Sequence, residues 1–186
     1  MRLTRRERRH YLRREPRVDT VMNSLQGLGT LPRAILTDVE TAVALARKFN
    51  EFVVRPVYRE IDQRVRREHD YLPHDFICTA NRWGLFSLWI PKLFGGGGLD
   101  LLSLYPFLEE VSSVCVGLAN VIGVHYLGVG TLAASWNVRV MDVIYREVCR
   151  ASGTDEACLI SLAITEPLAG TDVEEPELLK RASVGT

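Results

Sequence analysis

The sequence predicts a mainly α-helical protein that passes into a β-strand near its C-terminal end. Two patterns predict this fold class. Apolar residues recur every three or four positions over much of residues 37–157, and a short apolar run bounded by turn residues follows at 159–164. The 186 residues are 47% hydrophobic and 25% charged, which is enough to bury the core of one domain. The formal net charge is zero, so the balance of charge indicates neither nucleic acid nor an acidic substrate.

Residues 1–36 are predicted to be a basic extension followed by a connector. Eight arginines fall within residues 2–17, and residues 18–36 mix Asn, Ser, Gly and Pro without a clear period. A contact with nucleic acid or an acidic partner, or a transit peptide, would each fit this charge. Because Glu7 and Glu15 interrupt the arginines and serine is scarce, we favour a frayed, solvated extension and expect no nucleic-acid partner.

The cysteine usage indicates a reducing compartment. The four cysteines are widely separated and show no C-x-x-C pair, so we expect neither a disulfide framework nor a zinc site. The first residues contain no apolar secretory leader. We therefore expect a cytoplasmic protein, or one of the mitochondrial matrix if the source is eukaryotic. The cysteines are Cys78, Cys115, Cys149 and Cys158.

The first long helix is predicted in "DVETAVALARKFNEFVVRPVYREIDQRV", where charged residues fall between regularly spaced apolar ones. Pro56 should kink or divide this helix, because proline lacks a backbone donor and clashes with the preceding turn. A second, short helix should begin near Pro73 and stop at Gly84. It precedes a run of four glycines, residues 95–98. This run could cradle a phosphate, but the G-x-G-x-x-G spacing is absent and we favour a permissive loop between helices.

Residues 111–138 contain no charged side chain and are long enough to cross a bilayer. Scattered polar residues and the lack of flanking Lys or Arg clusters favour a helix buried at the centre of a helical bundle instead. His125 on this helix should be buried with one nitrogen satisfied. A further helix is predicted around residues 138–150. Its core face should carry Val140, Val143, Ile144 and Val148.

A tight turn, "AITEPLAGTDV", follows the apolar run that predicts the strand. Backbone N–H groups and the hydroxyls of Thr165 and Thr171 would be exposed together there, beside Gly170. Such groups can hold the polar edge of a cofactor ring or its phosphates without a charged side chain. Glu166 in this turn is interpreted as a structural carboxylate that accepts from backbone N–H groups.

This turn resembles the signature of the acyl-CoA dehydrogenase family. "ARKFNEFVVRPV", "GLFSLWIPKLFGGGGLDLL" and "LANVIGVHYLG" are similar to the family's first helix, its Gly-Gly loop region and its central helix beside the acyl pocket. The resemblance covers about residues 40–176 and argues against a membrane span. The signature positions are Ala163, Ile164, Thr165, Glu166, Ala169, Gly170, Thr171 and Asp172.

The resemblance implies the family's N-terminal helical bundle at residues 37–157 and the first strand and turn of its middle β-domain at 158–186. It implies an FAD enzyme that oxidises an acyl-CoA thioester to the 2-enoyl-CoA and passes electrons to an electron-transferring flavoprotein. The implied flavin contacts are Leu162, Ile164, Thr165, Gly170 and Thr171. The implied substrate contacts are Ala119, Asn120, Gly123 and Thr171.

No catalytic residue is expected within this sequence, because the base of relatives would lie beyond Thr186. The chain would then act as part of a dehydrogenase completed by a homo-oligomer or a complementary subunit. The alternative is a non-catalytic helical protein that binds a partner dehydrogenase or acyl-CoA. The metal-capable residues of "REHDYLPHDF" fit no ordinary metal spacing, and we interpret them as an exposed connector.

Overall fold

The computed structural model describes residues 3–14 and 32–163, and α-helices form most of these ranges. Short 3-10 turns lie at Lys92–Phe94 and Leu101–Ser103. In chain order the α-helices are α1 (Arg5–Leu12), α2 (Arg33–Phe49), α3 (Arg55–Arg67), α4 (His74–Arg82), α5 (Leu104–Ser112), α6 (Val116–Ala134) and α7 (Val138–Ala151). The predicted helical class is therefore confirmed.

The core lies where α5 packs against both α2 and α6, and where these helices meet the turns between α4 and α5. Trp89 is central to it. Its ring meets the rings of Phe107 and Tyr126 edge to face, with both centroids 5.0 Å away, and its Nε1 donates to the Ser103 hydroxyl over 2.8 Å. Edge-to-face pairs and a satisfied indole N–H let this large side chain be buried at little polar cost.

The long predicted helix is divided just before Pro56, as the sequence predicts. A π-helical turn, Asn50–Val54, joins α2 to α3, and the Arg55 N–H bonds to the Asn50 carbonyl five residues back. Proline cannot donate to the helical ladder, and its ring needs space near the carbonyl four residues earlier. The wider turn supplies that space without ending the helix.

The first helix contradicts the expectation of a frayed N-terminal extension. Thr4 and Glu7 form a capping box at the start of α1, and Tyr11 is buried. Lys48 of α2 bonds to the Glu7 carboxylate over 2.5 Å. Arg47 of α2 donates to the carbonyls of Tyr11 and Arg14 over 3.0 and 2.8 Å. The acidic residue that suggested a solvated arm is thus one of the groups that dock this helix on α2.

The uncharged helix α6 is not buried all round within the described part of the chain, contrary to expectation. Its inner face packs on the core, whereas Val116 and Leu127 are 70% and 54% exposed. By length and composition α6 could span a membrane, but core helices of soluble proteins meet the same criterion. An apolar composition on every side therefore did not reveal which side meets the core.

The predicted core face of α7 is partly wrong. Val148 is buried and Ile144 is half-buried, but Val140 and Val143 are 39% and 71% exposed. Tyr145 takes the central position instead and donates from its hydroxyl to the Val129 carbonyl of α6 over 2.6 Å. The buried arc is turned by about one residue from the predicted one, because an aromatic side chain fills the space beside α6.

The strand predicted at 159–164 is not observed. Residues 157–163 have neither helical nor strand structure, and Ile164 lies outside the described residues. A strand needs a hydrogen-bonded neighbour, and within the described ranges the N–H of Ile160 bonds to a side chain of α6 instead.

Candidate functional site

The predicted substrate residues lie on α6, but they do not all face the same way. Ala119 is turned into the core and is 3% exposed. Asn120 is exposed, and Gly123 is half-buried beside Leu108 of α5. The structure therefore brings Asn120 and Gly123, without Ala119, to the outer surface of the helix.

An exposed row of side chains runs along the outer face of α6, and we call it the α6 stripe. Its members are spaced four, four, three and four residues apart, which places them on one side of a helix over about 22 Å. The row is apolar apart from an amide and a hydroxyl, and no charged residue occurs anywhere in α6. The stripe consists of Val116, Asn120, Val124, Leu127 and Thr131.

Two glycines border the α6 stripe on opposite sides. They lie five residues apart, or about 140° around the helix. A Cβ on Gly123 would lie 3.5 Å from Leu108 of α5, and one on Gly128 would lie 2.7 Å from Cγ2 of Ile160. The stripe is thus flanked by α5 on one side and by the chain that follows α7 on the other.

His125 attaches that following chain to α6. The imidazole is 2% exposed, its Nε2 lies 2.8 Å from the Phe86 carbonyl, and its Nδ1 accepts from the Ile160 N–H over 3.0 Å. These partners require a neutral ring with the proton on Nε2. Burial lowers the pKa of His125 to about 4. The sequence correctly predicts a buried histidine, but both of its nitrogens are satisfied rather than one.

Asn81 of α4 is a second attachment point, and sequence reasoning missed it. The side chain is 1% exposed, and its Nδ2 donates to the carbonyls of Ala151 and Thr154 over 2.8 and 3.0 Å. Its backbone carbonyl accepts from the N–H of Gly153 over 2.9 Å. Asn81 lies one position before Arg82, the last residue of α4, and nothing in the local sequence indicates a long-range partner. The partners are backbone carbonyls some 70 residues later in the chain.

These attachments lead the chain past α6 towards the predicted flavin contacts. Leu162 is half-buried, two residues beyond the Ile160 that bonds to His125. The other predicted flavin contacts and the predicted substrate contact Thr171 lie outside the described residues, as does Glu166. Of the two predicted sets, the structure therefore describes Leu162 and the three residues on α6. The flavin contacts outside the described ranges are Ile164, Thr165, Gly170 and Thr171.

The four-glycine run is a loop, as predicted, and its backbone donors are already used. The N–H groups of Gly95, Gly96, Gly97 and Gly98 donate to the carbonyls of Lys92, Pro91, Ser87 and Ile90, over 2.9 to 3.3 Å. Gly95 and Gly98 have positive φ angles of 94° and 66°, which favour glycine. A phosphate cradle needs free N–H groups, so this conformation does not present one.

The region from Glu68 to Asp75 does not form a metal cluster in the described part of the chain. No group of three or more His, Cys, Asp or Glu side chains is placed to hold a metal ion in residues 3–14 and 32–163. His74 lies instead beside Cys78, 3.5 Å from Nδ1 to Sγ. All four cysteines are free thiols.

A model of the N-terminal domain of acyl-CoA dehydrogenases matches residues 37–136, which is more than half of the chain. The chain belongs to the acyl-CoA dehydrogenase family. The matched region contains α6 and the whole α6 stripe. The attachment of Ile160 to His125 extends beyond it, so the comparison includes the helix but not the segment that is bound to it.

Three curated relatives align with most of this acyl-CoA dehydrogenase family chain. An acryloyl-CoA reductase (NADH) of Anaerotignum propionicum is 29% identical over 75% of the chain. A short-chain-specific acyl-CoA dehydrogenase of Clostridium acetobutylicum is 28% identical over 69%, and a 3-(aryl)acrylate reductase of Clostridium sporogenes is 26% identical over 69%. The aligned parts are 33%, 31% and 32% of these relatives, so the chain spans about a third of their length. No solved structure gives a significant match.

Proposed function

We propose that this chain is the helical part of a flavin-dependent acyl-CoA dehydrogenase that introduces a double bond between the α and β carbons of an acyl-CoA thioester. The observation that carries this proposal is family membership over residues 37–136. The geometry is compatible with it. The α6 stripe places apolar surface and the Asn120 amide beside the segment that leads to the predicted flavin-binding turn.

The names of the relatives all point to a reaction at the bond between the α and β carbons. They differ in whether that bond is oxidised or reduced. One relative is named as a dehydrogenase of short-chain acyl-CoA, and two are named as reductases of acrylate derivatives. All three names are consistent with chemistry at the α and β carbons next to a carbonyl group. We propose oxidation as the reaction of this chain, and reduction of the corresponding 2-enoyl compound is the second candidate.

The described residues fit one wall of a flavin and acyl site. Such sites are mostly apolar with a few placed polar groups, and the α6 stripe has that composition. FAD, when bound, would supply the hydride acceptor. The chain itself would contribute Asn120 and Gly123 along the acyl group and Leu162 along the ring. We assign no catalytic base to α6, since it carries no carboxylate.

We also propose an acyl-CoA substrate, an electron-transferring flavoprotein as electron acceptor, and assembly with a second copy or a complementary subunit. The exposed apolar part of the α6 stripe supports a covering protein surface, because an apolar row of this length is costly to leave in water. A cytoplasmic or mitochondrial matrix location belongs to the same proposal, and the widely separated cysteines without a C-x-x-C pair support it.

The test is to purify the protein from its own cells without denaturation and to measure intact mass, visible absorbance and bleaching by butyryl-CoA without oxygen. Flavin absorbance that butyryl-CoA bleaches supports the proposal. Protein that carries no flavin, even with a co-purifying dehydrogenase, would instead support the non-catalytic interaction protein.

A matched pair of variants tests the acyl contact. Gly123→Leu adds a side chain at a predicted acyl contact, and Gly117→Leu adds the same side chain to α6 where nothing lies within 4 Å of a Cβ. In the flavin-containing enzyme we expect Gly123→Leu to raise KM for longer acyl-CoA more than for butyryl-CoA. Equal effects of the two variants would refute the placement of Gly123 beside the acyl group.

A further inference from the structure

We propose that His125 and Gly128 are positioning residues that fix the segment at residues 158–163 against α6, and so set where the flavin contacts begin relative to the acyl contacts. This inference rests on the function proposed above. It concerns two residues outside the predicted flavin and substrate sets. Both act through the chain that they hold.

The first step is that His125 is locked before it binds the segment. The Phe86 carbonyl lies 2.8 Å from Nε2 and holds the proton there. The rings of Phe86 and Tyr126 meet the imidazole edge to face, with centroids 5.1 and 5.0 Å away. The Nδ1 lone pair therefore points in one direction, and the Ile160 N–H meets it over 3.0 Å. A fixed acceptor sets the position of a bound N–H more closely than a solvated one.

The second step is that Gly128, which has no side chain, leaves the space that the Ile160 side chain occupies. A Cβ at this position would lie 2.7 Å from Cγ2 of Ile160 and 3.3 Å from its carbonyl carbon. Any side chain larger than hydrogen would push the segment away from the helix. One turn of α6 thus holds the same residue by a polar contact at His125 and by close packing at Gly128.

The third step is that the chain leading into the segment is also held, at the end of α7. Asn81 holds the end of α7 through the Ala151 and Thr154 carbonyls, and His125 holds Ile160 six residues after Thr154. Asn120 precedes His125 by five residues on the same rigid helix, about 7.5 Å along its axis. The spacing between the predicted acyl contact and the bound segment is therefore set by α6 alone.

The first experiment measures hydrogen exchange of the Ile160 amide by NMR in the 186-residue chain at pH 7. His125→Asn keeps an acceptor near the Nδ1 position, and His125→Gln keeps a donor near the Nε2 position. Both variants lose the buried ring, so their global stabilities should fall together. We expect Ile160 exchange to rise about tenfold more in His125→Gln than in His125→Asn, the effect of one lost hydrogen bond. Equal Ile160 exchange in the two variants would overturn the role of His125.

The second experiment uses a glycine pair, which remains informative if neither histidine variant folds. Gly128→Ala places a methyl group against Ile160, whereas Gly130→Ala places one where nothing lies within 4 Å. Both changes favour the helix equally. We expect faster amide exchange across residues 158–163 in Gly128→Ala alone. Unchanged amide exchange across residues 158–163 in that variant would refute the role of Gly128 in packing against Ile160.

The functional consequence is read from FAD binding, followed by the change in flavin fluorescence on titration. We expect Gly128→Ala to weaken FAD binding at least fivefold relative to Gly130→Ala. If the wild-type protein, purified from its own cells with any partner chain, carries no FAD, the flavin part of the proposed function fails for this chain, while the exchange data still decide whether the segment is held. If the wild type binds FAD and both variants bind it equally, the positioning role is refuted.

Discussion

Replacing Gly96 by alanine should destabilise the helical domain by about 3 kcal/mol. The new Cβ would lie 2.1 Å from the Ile90 carbonyl oxygen and 2.6 Å from its carbonyl carbon. This is about 1 Å inside the closest approach that a Cβ tolerates, and the obstacle is backbone rather than a flexible side chain. The loop must therefore move by about 1 Å. That movement breaks the bonds from Gly97 to Ser87 and from Gly98 to Ile90, worth about 1 kcal/mol each, and leaves some strain.

The assay is urea unfolding followed by circular dichroism at 222 nm, with the slope checked for two-state behaviour. Gly117→Ala is the matched control. Nothing lies within 4 Å of its Cβ, and alanine favours the helix, so it should stabilise by up to about 1 kcal/mol. A Gly96→Ala variant within about 0.5 kcal/mol of wild type would refute the steric account of this loop.

Three further predictions concern buried polar groups. Arg47→Met leaves the Glu110 carboxylate, which is 12% exposed, without its partner 2.6 Å away, and it should lower the free energy of unfolding in urea by about 3–5 kcal/mol. The control is Arg8→Met at a more exposed ion pair, which should lower it by less than about 1 kcal/mol. Equal losses in the two variants would contradict the prediction. Asn81→Ala should cost about 2–3 kcal/mol and speed limited proteolysis at residues 152–157, and an unchanged cleavage rate would count against the attachment. The pKa of His125 is lowered to about 4 in the fold, so the unfolded state binds more protons below pH 6.5. Stability should then fall by about 2 kcal/mol between pH 7 and pH 5 through this group, and a slope that persists in His125→Asn would assign it elsewhere.

The sequence predicted best those elements whose ends are marked by local chemistry. Pro56 marks the division between α2 and α3, and Pro73 and Gly84 flank α4 closely. Glycines with positive φ mark the loop after Trp89. Each of these residues limits its own backbone, so no knowledge of distant contacts is needed to interpret it.

The wrong predictions concern features that depend on contacts with residues far away in the sequence. Glu7 looked like an interruption in a basic arm, but its partner Lys48 is 41 residues away. The exposure of Val143 depends on which side of α7 meets α6. The apolar run at 159–164 resembles a buried strand, yet the N–H of Ile160 bonds to His125. The periodicity of a sequence shows which positions are apolar and which are polar. It does not show which other residue each position will contact.

The candidate site was predicted in part for the same reason. The family resemblance pointed to α6, and the structure places Asn120 and Gly123 on its outer surface. The resemblance could not indicate that Ala119 faces inwards, because consecutive residues on a helix point about 100° apart around its axis. His125 was recognised as buried, but its bond to Ile160 was not predicted. The predicted turn from Thr165 onwards lies outside the described residues and stays a prediction.

The π-helical turn at Asn50–Val54 has a consequence for how this chain tolerates insertions and deletions. It contains one more residue per turn than the α-helix around it, so it acts as a built-in single-residue insertion. Deleting one residue there should restore regular α-helical winding and leave the phase of α3 relative to α2 almost unchanged. Val57 and Ile61, which pack on the core, would therefore still face it. Homologous chains that lack Pro56 and the turn should therefore be one residue shorter at this point, with the apolar pattern of α3 still in phase with the core.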